Sequence, residues 1–257
     1  SRSNETVNDK QNSKSMFEAY GDLADEINTP ILIAGRNLQH ENQMDDTIAD
    51  ICAKLEPNKN CRLLELGCNI GMLLNPLSSL VASCVGLDHH KLVGFFRDSG
   101  TPENVALLEG EWPTTKVEGS FDRILVYDVL HLVPDAGTAL KFIEACYDIL
   151  EPGGRLLIGD LPNKDMHKRY QSTEFGQKVA ADYDAAREKE RANITNESQQ
   201  RTAILSDALF DNYMDDAFIF SVLGSARKSG LHAFTLPQPD TLPFCFSRED
   251  ILIARPR

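Results

Sequence analysis

Four acidic residues stand where apolar runs stop: Glu65 in RLLELGCNIG, Asp88 in CVGLDHH, Asp128 in FDRILVYDVLHLVP and Asp160 in RLLIGDL. A carboxylate in such a place can accept hydrogen bonds from hydroxyls or face a positive charge. A row of them along one rim suits a ligand rich in hydroxyl and cationic groups. Two glycines, Gly67 and Gly71, bracket the short GCNIG loop after Glu65. Without a Cβ they allow a tight turn and a close backbone approach to a ligand. The loop is not a nicotinamide fingerprint, because Asn69 and Met72 stand where glycine is needed. It is not a P-loop either, since no Gly-Lys-Ser/Thr follows. Asp88 comes about 20 residues after Gly67, where a carboxylate can clasp both hydroxyls of a ribose. N-capping of the HHKLVGFF helix is the bland reading of the same residue.

These groups need a scaffold, and the sequence alternates strand and helix to supply one. RLLEL, CVGLD, VALLEG, the Phe121 to Tyr127 run and RLLIGDL read as strands. Between them lie helical stretches: MLLNPLSSLVA with Pro76 in its first turn, KLVGFFRDSG closed by Gly100, and AGTALKFIEACYDIL stopped by EPGG. Near-continuous apolar strands alternating with helices indicate a parallel sheet covered on both faces. Two helices precede it, SMFEAYGDLADEIN, ended with the help of Pro30, and MDDTIADICAKL, with Ile48, Ile51 and Leu55 on one face. From Asn163 to about Tyr213 the chain is charged and helical, with too little apolar content for a core element. DDAFIFSVLGSARKSG is then an amphipathic helix ending at Gly230. LHAFTL and FCFSREDILIARP form an antiparallel hairpin at one side of the sheet.

Composition narrows the function. The chain has 257 residues and a formal net charge of -13, against a broad nucleic-acid or membrane footprint. It carries no apolar run long enough to span a membrane, and its first fifteen residues lack the apolar core of a secretory signal. That tail is expected to be disordered. The six cysteines form no CxxC pair and most lie in apolar surroundings, which speaks for reduced thiols in the cytoplasm rather than a zinc site or disulfide framework. His89 and His90, being adjacent, are expected to point apart, so joint metal ligation is not expected.

In order and spacing, LLELGCNIG, VGLDHH, LLEGEWP, FDRILVYDVLHLVP and LEPGGRLLIGDL resemble the motifs of class I S-adenosylmethionine-dependent methyltransferases. The resemblance covers about Arg62 to Leu161, and the terminal helix and strand pair also fit. One departure is Asn69, where many members carry a middle glycine. The resemblance implies a Rossmann-like, doubly wound α/β fold with a mostly parallel seven-stranded sheet, an antiparallel C-terminal strand and a helical insertion. It divides the chain into a tail (1–15), an N-terminal helical cover (16–60) and a methyltransferase domain (61–257) whose insertion spans about 163–213. The implied cofactor is S-adenosyl-L-methionine. Glu65 and the Gly67–Gly71 loop, with Cys68 and Asn69, would sit near its methionine part. Asp88 would bind the ribose, with His89 beside the adenine. Glu111 would meet the adenine amine and Trp112 would cover the ring. Glu111 as a solvated loop residue and Trp112 as a plug at the core rim stay open.

Methyl transfer from a sulfonium is an in-line displacement, so alignment and exclusion of water do much of the work. A general base helps when the nucleophile is a hydroxyl. His131 and Asp128, three apart, are placed to face one cleft. His131 is the candidate base or substrate contact, or else a structural histidine capping the next helix; Asp128 positions the cofactor or a substrate amine. Tyr20 closes the pocket or packs in the core. The insertion is a substrate lid, with Tyr170, Tyr183 and Arg187 touching substrate, or a homodimer interface. The absence of an NPPY-like tetrapeptide and the acidic balance favour a small molecule, a hydroxyl of a sugar or secondary metabolite ahead of an amine. An RNA- or protein-modifying methyltransferase and a non-catalytic partner subunit are the competing readings.

Overall fold

The structure, a computed structural model, describes residues 14–36, 43–179, 181, 195–206 and 212–257. Seven strands form one sheet: β1 (Arg62–Leu66), β2 (Ser83–Asp88), β3 (Val105–Glu109), β4 (Phe121–Tyr127), β5 (Leu150–Pro162), β6 (His232–Pro237) and β7 (Arg248–Ala254). Their order is β3-β2-β1-β4-β5-β7-β6. The first five run parallel, and β7 is antiparallel to both β5 and β6. The chain reverses its winding between β1 and β4, so the loops after β1 and β4 diverge and leave a crevice at the carboxyl ends.

Alternation within each strand divides the core. Leu63, Cys84, Leu125 and Leu157 point to the face covered by α3 (Met44–Leu55), α4 (Leu74–Ser78) and α5 (His90–Asp98). Leu64, Val85, Ile124 and Ile158 point to the other, against α6 (Ala136–Asp148) and, nearer β6 and β7, α9 (Asp216–Lys228). The doubly wound architecture with its antiparallel β7 agrees with the expected fold class.

Several local expectations change. EPGG does not end α6; the helix stops at Asp148 and EPGG is already strand, because Gly153 N donates to Arg255 O and Arg255 N to Gly154 O, each at 3.0 Å. Pro30 does not close α1 (Met16–Glu26). It opens α2 (Pro30–Ile33) from the first position, where its missing N–H has no helical partner to lose. Ser15 is no loose tail, since its Oγ accepts from Glu18 N at 3.2 Å and caps α1. Residues 1–13 of the expected tail lie outside the described residues.

Within the insertion, α7 (Lys164–Gln171) follows β5, and α8 (Asn196–Ser206) lies on the N-terminal helices. Glu197 accepts from Asn28 N at 2.8 Å and from the Thr29 hydroxyl, and Gln200 Nε2 donates to Glu26 at 2.8 Å. Ile204 and Leu205 of α8, like Tyr20, pack against the cluster of Met16 and Ala19. The low apolar content therefore still supplies a packing face. No described helix is long and apolar enough to cross a membrane.

Candidate active site

A cavity of about 430 Å³ opens at the carboxyl ends of β1, β2 and β4, roofed by α1. Glu65, Gly67, Cys68, Asn69, Asp88, Glu111, Trp112, Asp128 and Tyr20 all line it. Gly71, His89, His131 and Tyr170 do not. Tyr183 and Arg187 lie outside the described residues.

Glu65 and Asp88 form its floor. Both are buried, on adjacent parallel strands. Asp88 does not N-cap α5; His89 does, through Nδ1, which accepts from Lys91 N at 3.3 Å. The Asp88 carboxylate instead accepts from His89 N and Asn69 N, each at 2.6 Å. Each oxygen keeps a lone pair for a hydroxyl. Burial pushes the Asp88 carboxyl up to about 6, against the pull of those two amides. Glu65 has no such help: its Oε2 is buried and no hydrogen bond reaches it. Burial, and then the charge of Asp88, push the Glu65 carboxyl up to about 8.

The glycine loop is built by backbone geometry. Gly67, Asn69 and Gly71 all have positive φ, at 81°, 48° and 84°. Asn69 takes a left-handed conformation that asparagine tolerates, and its side chain justifies its presence in place of glycine. Its Oδ1 accepts from Ile70 N at 2.8 Å, and its Nδ2 donates to Ile33 O at 3.3 Å, tying the loop to α2. A Cβ on Gly67 would strike Val129, and one on Gly71 the Phe96 ring. Gly71 is therefore required by core packing and not by close approach to a ligand.

His89 is buried beneath α1, not beside the cavity. As the cap of α5 its ring faces inward, where it packs on Phe17 at 5.1 Å and puts Nε2 3.3 Å from Glu18. The adjacent His90 ring does not point away; the two centroids are 4.3 Å apart. Trp112 lines the cavity and also reaches the core, its Nε1 donating to Phe142 O at 2.9 Å. Tyr170 stacks on Phe246 at 4.4 Å, outside both cavities described here.

Asp128 and His131 do meet, with His131 Nε2 3.6 Å from Asp128 Oδ1. The histidine sits behind the aspartate in a 3-10 turn, Leu130–Leu132. It does not cap α6, which Asp135 does by accepting from Thr138 N at 2.9 Å. Burial lowers the His131 pKa, so the imidazole is neutral near pH 7. Despite burial, Asp128 is held below the usual carboxylate range by the positive charge of its neighbours: His131 when protonated, Arg248 and Arg36.

Arg248 and Arg36 carry structural weight that no motif signalled. Arg248 Nη1 donates to Asp128 Oδ1 at 3.0 Å and to Asp160 Oδ2 at 2.6 Å. Asp160 does not follow β5 but lies within it, at a bulge with φ 60° that turns its carboxylate toward Arg248. These groups line a second cavity of about 190 Å³, which shares Arg36, Tyr127 and Asp128 with the larger one. Arg36 follows Gly35 just beyond α2, and Arg248 begins β7. A lone Gly-Arg step and a strand's first residue are signals that only the tertiary fold gives meaning.

The larger cavity is lined by Glu65, Asp88, Glu111 and Asp128 against Lys14 and Arg36. Its buried, unsatisfied Glu65 oxygen and its acidic excess fit a cationic nucleoside. Residues 36–199 match the family model described as Methyltransferase domain. Among curated proteins, the ubiquinone biosynthesis O-methyltransferase of Xanthomonas axonopodis pv. citri is 33% identical over 116 residues, covering 43% of this chain and 47% of that protein. The mitochondrial enzyme of that name from Rattus norvegicus is 33% identical over 113 residues, covering 40% of this chain and 31% of that protein. The matched segment thus spans about a third to a half of these relatives' length. Of solved structures, the N-methyltransferase NodS from Bradyrhizobium japonicum, in complex with S-adenosyl-L-homocysteine, gives a TM-score of 0.56 at 14% identity, covering 93% of this chain and 99% of that one. Magnesium protoporphyrin IX methyltransferase from Synechocystis, with bound SAM, gives 0.54 at 15% identity, covering 98% and 100%. Those two likenesses bear on the fold alone. The family match takes in more than half of the sequence, and this chain belongs to the class I S-adenosylmethionine-dependent methyltransferases.

Proposed function

We propose that the chain binds S-adenosyl-L-methionine across the Glu65–Asp88 floor and methylates a hydroxyl of a small molecule, a sugar or secondary metabolite. The observation that carries this reading is the buried Glu65 oxygen without a partner, beside an Asp88 carboxylate that still has lone pairs to offer. In this reading Asp88 clasps the ribose hydroxyls. Glu65 and the Gly67–Asn69 backbone face the methionine part. Glu111 meets the adenine amine and Trp112 covers the ring. The cofactor, when bound, supplies a methyl group on a sulfonium.

The chain's own residues bind, orient and keep out water. Leu73, Leu87, Leu92 and Phe142 give the cavity apolar walls that exclude solvent. Asp128 is common to both cavities, so it can receive the acceptor hydroxyl beside the methyl donor. The hydroxyl proton passes to the Asp128–His131 pair, whose imidazole burial keeps unprotonated. His131 acts through Asp128 and does not touch substrate. Tyr20, its phenol pushed up to about 12 by burial and the Asp128 charge, stays neutral and closes the pocket from α1. The insertion serves as a lid, a role supported by Arg201 of α8 in the wall of the smaller cavity. The relatives named O-methyltransferases support a hydroxyl acceptor over an amine. Six free cysteines, five of them buried, support a cytoplasmic setting.

Incubation with methyl-labelled S-adenosylmethionine and a panel of hydroxyl- and amine-bearing small molecules tests the reading. Label is expected in a methyl ether. A chain that binds no S-adenosylhomocysteine would contradict it, as would label appearing only in RNA or protein.

A further inference from the structure

The bulge in β5 lies beside the active site and is held from behind. Between Ile158 and Leu161 the β5–β7 register shifts, so Gly159 and Asp160 together face the single residue Asp250. Asp160 takes a φ of 60°, a left-handed conformation that strains a residue with a side chain. The Asp250 side chain braces it. Its Oδ1 accepts from Asp160 N at 2.9 Å and from Gln238 Nε2 at 3.2 Å. The same Gln238 nitrogen donates to Asp160 Oδ1 at 3.1 Å, so one amide ties the two carboxylates together. Asp250 Oδ2 accepts from Lys54 Nζ at 2.6 Å, and Lys54 is paired with Asp50 at 2.6 Å as well. Asp250 is fully buried, and Lys54 reaches it from α3. Lys54, Gln238 and Asp250 line neither of the two cavities.

The bulge in turn grips Asp128 at two points. Gly159 O accepts from Asp128 N at 3.1 Å. Arg248 Nη1 donates to Asp160 Oδ2 at 2.6 Å, to Asp160 O at 3.2 Å and to Asp128 Oδ1 at 3.0 Å. A regular ladder with apolar side chains would spare the chain both a left-handed aspartate and the burial of charged groups. Bulges beside active sites re-aim a side chain. Here Asp160 is turned onto Arg248, and Arg248 onto Asp128.

Resting on the reading in which Asp128 receives the acceptor hydroxyl, we propose that Asp250 is a positioning residue for methyl transfer: it holds the β5 bulge, and the bulge fixes Asp128. Lys54 supplies the positive charge that offsets burial of the Asp250 carboxylate, and Gln238 keeps the two carboxylates of the bulge together. These three residues touch neither substrate nor cofactor. They act by keeping the Asp128 carboxylate in one place, where an in-line displacement needs the hydroxyl aligned.

The test follows the His131 imidazole by NMR in the full chain bound to S-adenosylhomocysteine, its signal assigned by its loss in His131→Ala. His131 Nε2 lies 3.6 Å from Asp128 Oδ1, so it reports where the Asp128 charge is spent. Asp250→Ala takes the acceptor from Asp160 N, and Arg248 loses its fixed place between the two aspartates. The Asp128 charge then acts undivided on the imidazole, whose titration midpoint is expected to rise by about 0.5 pH unit or more. S-adenosylhomocysteine affinity should stay within about twofold. Asp250→Asn keeps an oxygen for Asp160 N, with Lys54 retaining Asp50, and should return most of the shift. Leu63→Ala, a buried change on β1 away from the bulge, should lower Tm and leave the midpoint where it was. If Asp250→Ala does not fold, Gln238→Met carries the test with the same expected rise. A midpoint that does not rise in the folded variant, or an equal rise in Leu63→Ala, overturns the proposal. A loss of S-adenosylhomocysteine affinity of about tenfold in Asp250→Ala also overturns it, because the bulge would then serve the cofactor. An unaltered chain that binds no S-adenosylhomocysteine overturns the methyltransferase reading and the proposal with it, whereas an unmoved midpoint in a chain that binds it strikes the proposal alone.

Discussion

Glu65 and Asp88 stand at the tips of neighbouring parallel strands, yet only Asp88 has its oxygens held by backbone amides. Glu65 is left with a buried oxygen that nothing in the described protein satisfies. A buried polar atom without a partner is costly, and a native chain retains it where a ligand completes it. The pair is thus a floor with one half braced and the other half waiting for a positive charge.

Without ligand, Glu65 holds its proton up to about pH 8, whereas the unfolded chain releases it in the ordinary carboxylate range. The folded state binds the extra proton between those values, so stability of the ligand-free protein falls as pH rises from about 5 to 8. A cationic cofactor needs Glu65 ionised. Binding of S-adenosylmethionine at pH 7 should therefore release up to about one proton, seen by calorimetry in buffers of different ionisation enthalpy. Glu65→Gln should abolish the release, weaken binding and flatten the stability profile. Proton release that persists in Glu65→Gln would assign it to another group.

Asp88 bears on both fold and ligand. Asp88→Ala leaves the Asn69 and His89 amides without acceptors, at a cost of about 2 kcal/mol in denaturant unfolding. S-adenosylhomocysteine affinity should fall with it. Asp88→Asn removes the charge and keeps one acceptor oxygen, so it can satisfy only one of the two amides and should cost less stability than Asp88→Ala. Unchanged affinity in both variants would remove Asp88 from the ribose.

Gly71 and Asn69 should both be sensitive, for different reasons. Gly71→Ala forces a Cβ into the Phe96 ring at a positive φ and should cost about 1–3 kcal/mol. Asn69→Gly keeps the backbone conformation and loses the bond to Ile33 O, at roughly 0.5–1.5 kcal/mol. Hydrogen exchange should then rise in α2 and leave β1 protected. A Gly71→Ala chain as stable as the unaltered one would contradict the packing account of Gly71.

His131 separates proton handling from binding. His131→Ala should leave S-adenosylhomocysteine affinity unchanged and lower kcat by about 100-fold on a hydroxyl acceptor. The low-pH limb of the rate profile, set in the unaltered chain by an imidazole whose pKa burial lowers, should disappear. Normal turnover with an unaltered profile would take His131 out of the reaction.

Much of this is legible in the sequence alone. Each of the first four strands appears where its apolar run stood, and Glu65 and Asp88 reach the rim because strand ends are readable from composition and turn residues. What failed was whatever a distant partner decides. EPGG reads as a helix stop, yet the pairing of Gly153 and Gly154 with Arg255 makes it strand. His89 reads as a cavity residue, but capping α5 turns its ring under α1. Arg36, Arg201 and Arg248 give no local signal, and only the folded sheet brings them to one cavity. The glycines of the Gly67–Gly71 loop mark a turn in the sequence, while the reason for Gly71 lies in a phenylalanine beyond β2.

The most direct measurement is a crystal structure of the chain grown with S-adenosylhomocysteine. The account predicts density for the nucleoside over Asp88, with both ribose hydroxyls on its carboxylate and the amino group within hydrogen-bond distance of Glu65. Density that leaves the Glu65 oxygen unpartnered, or a nucleoside bound away from Asp88, would contradict it.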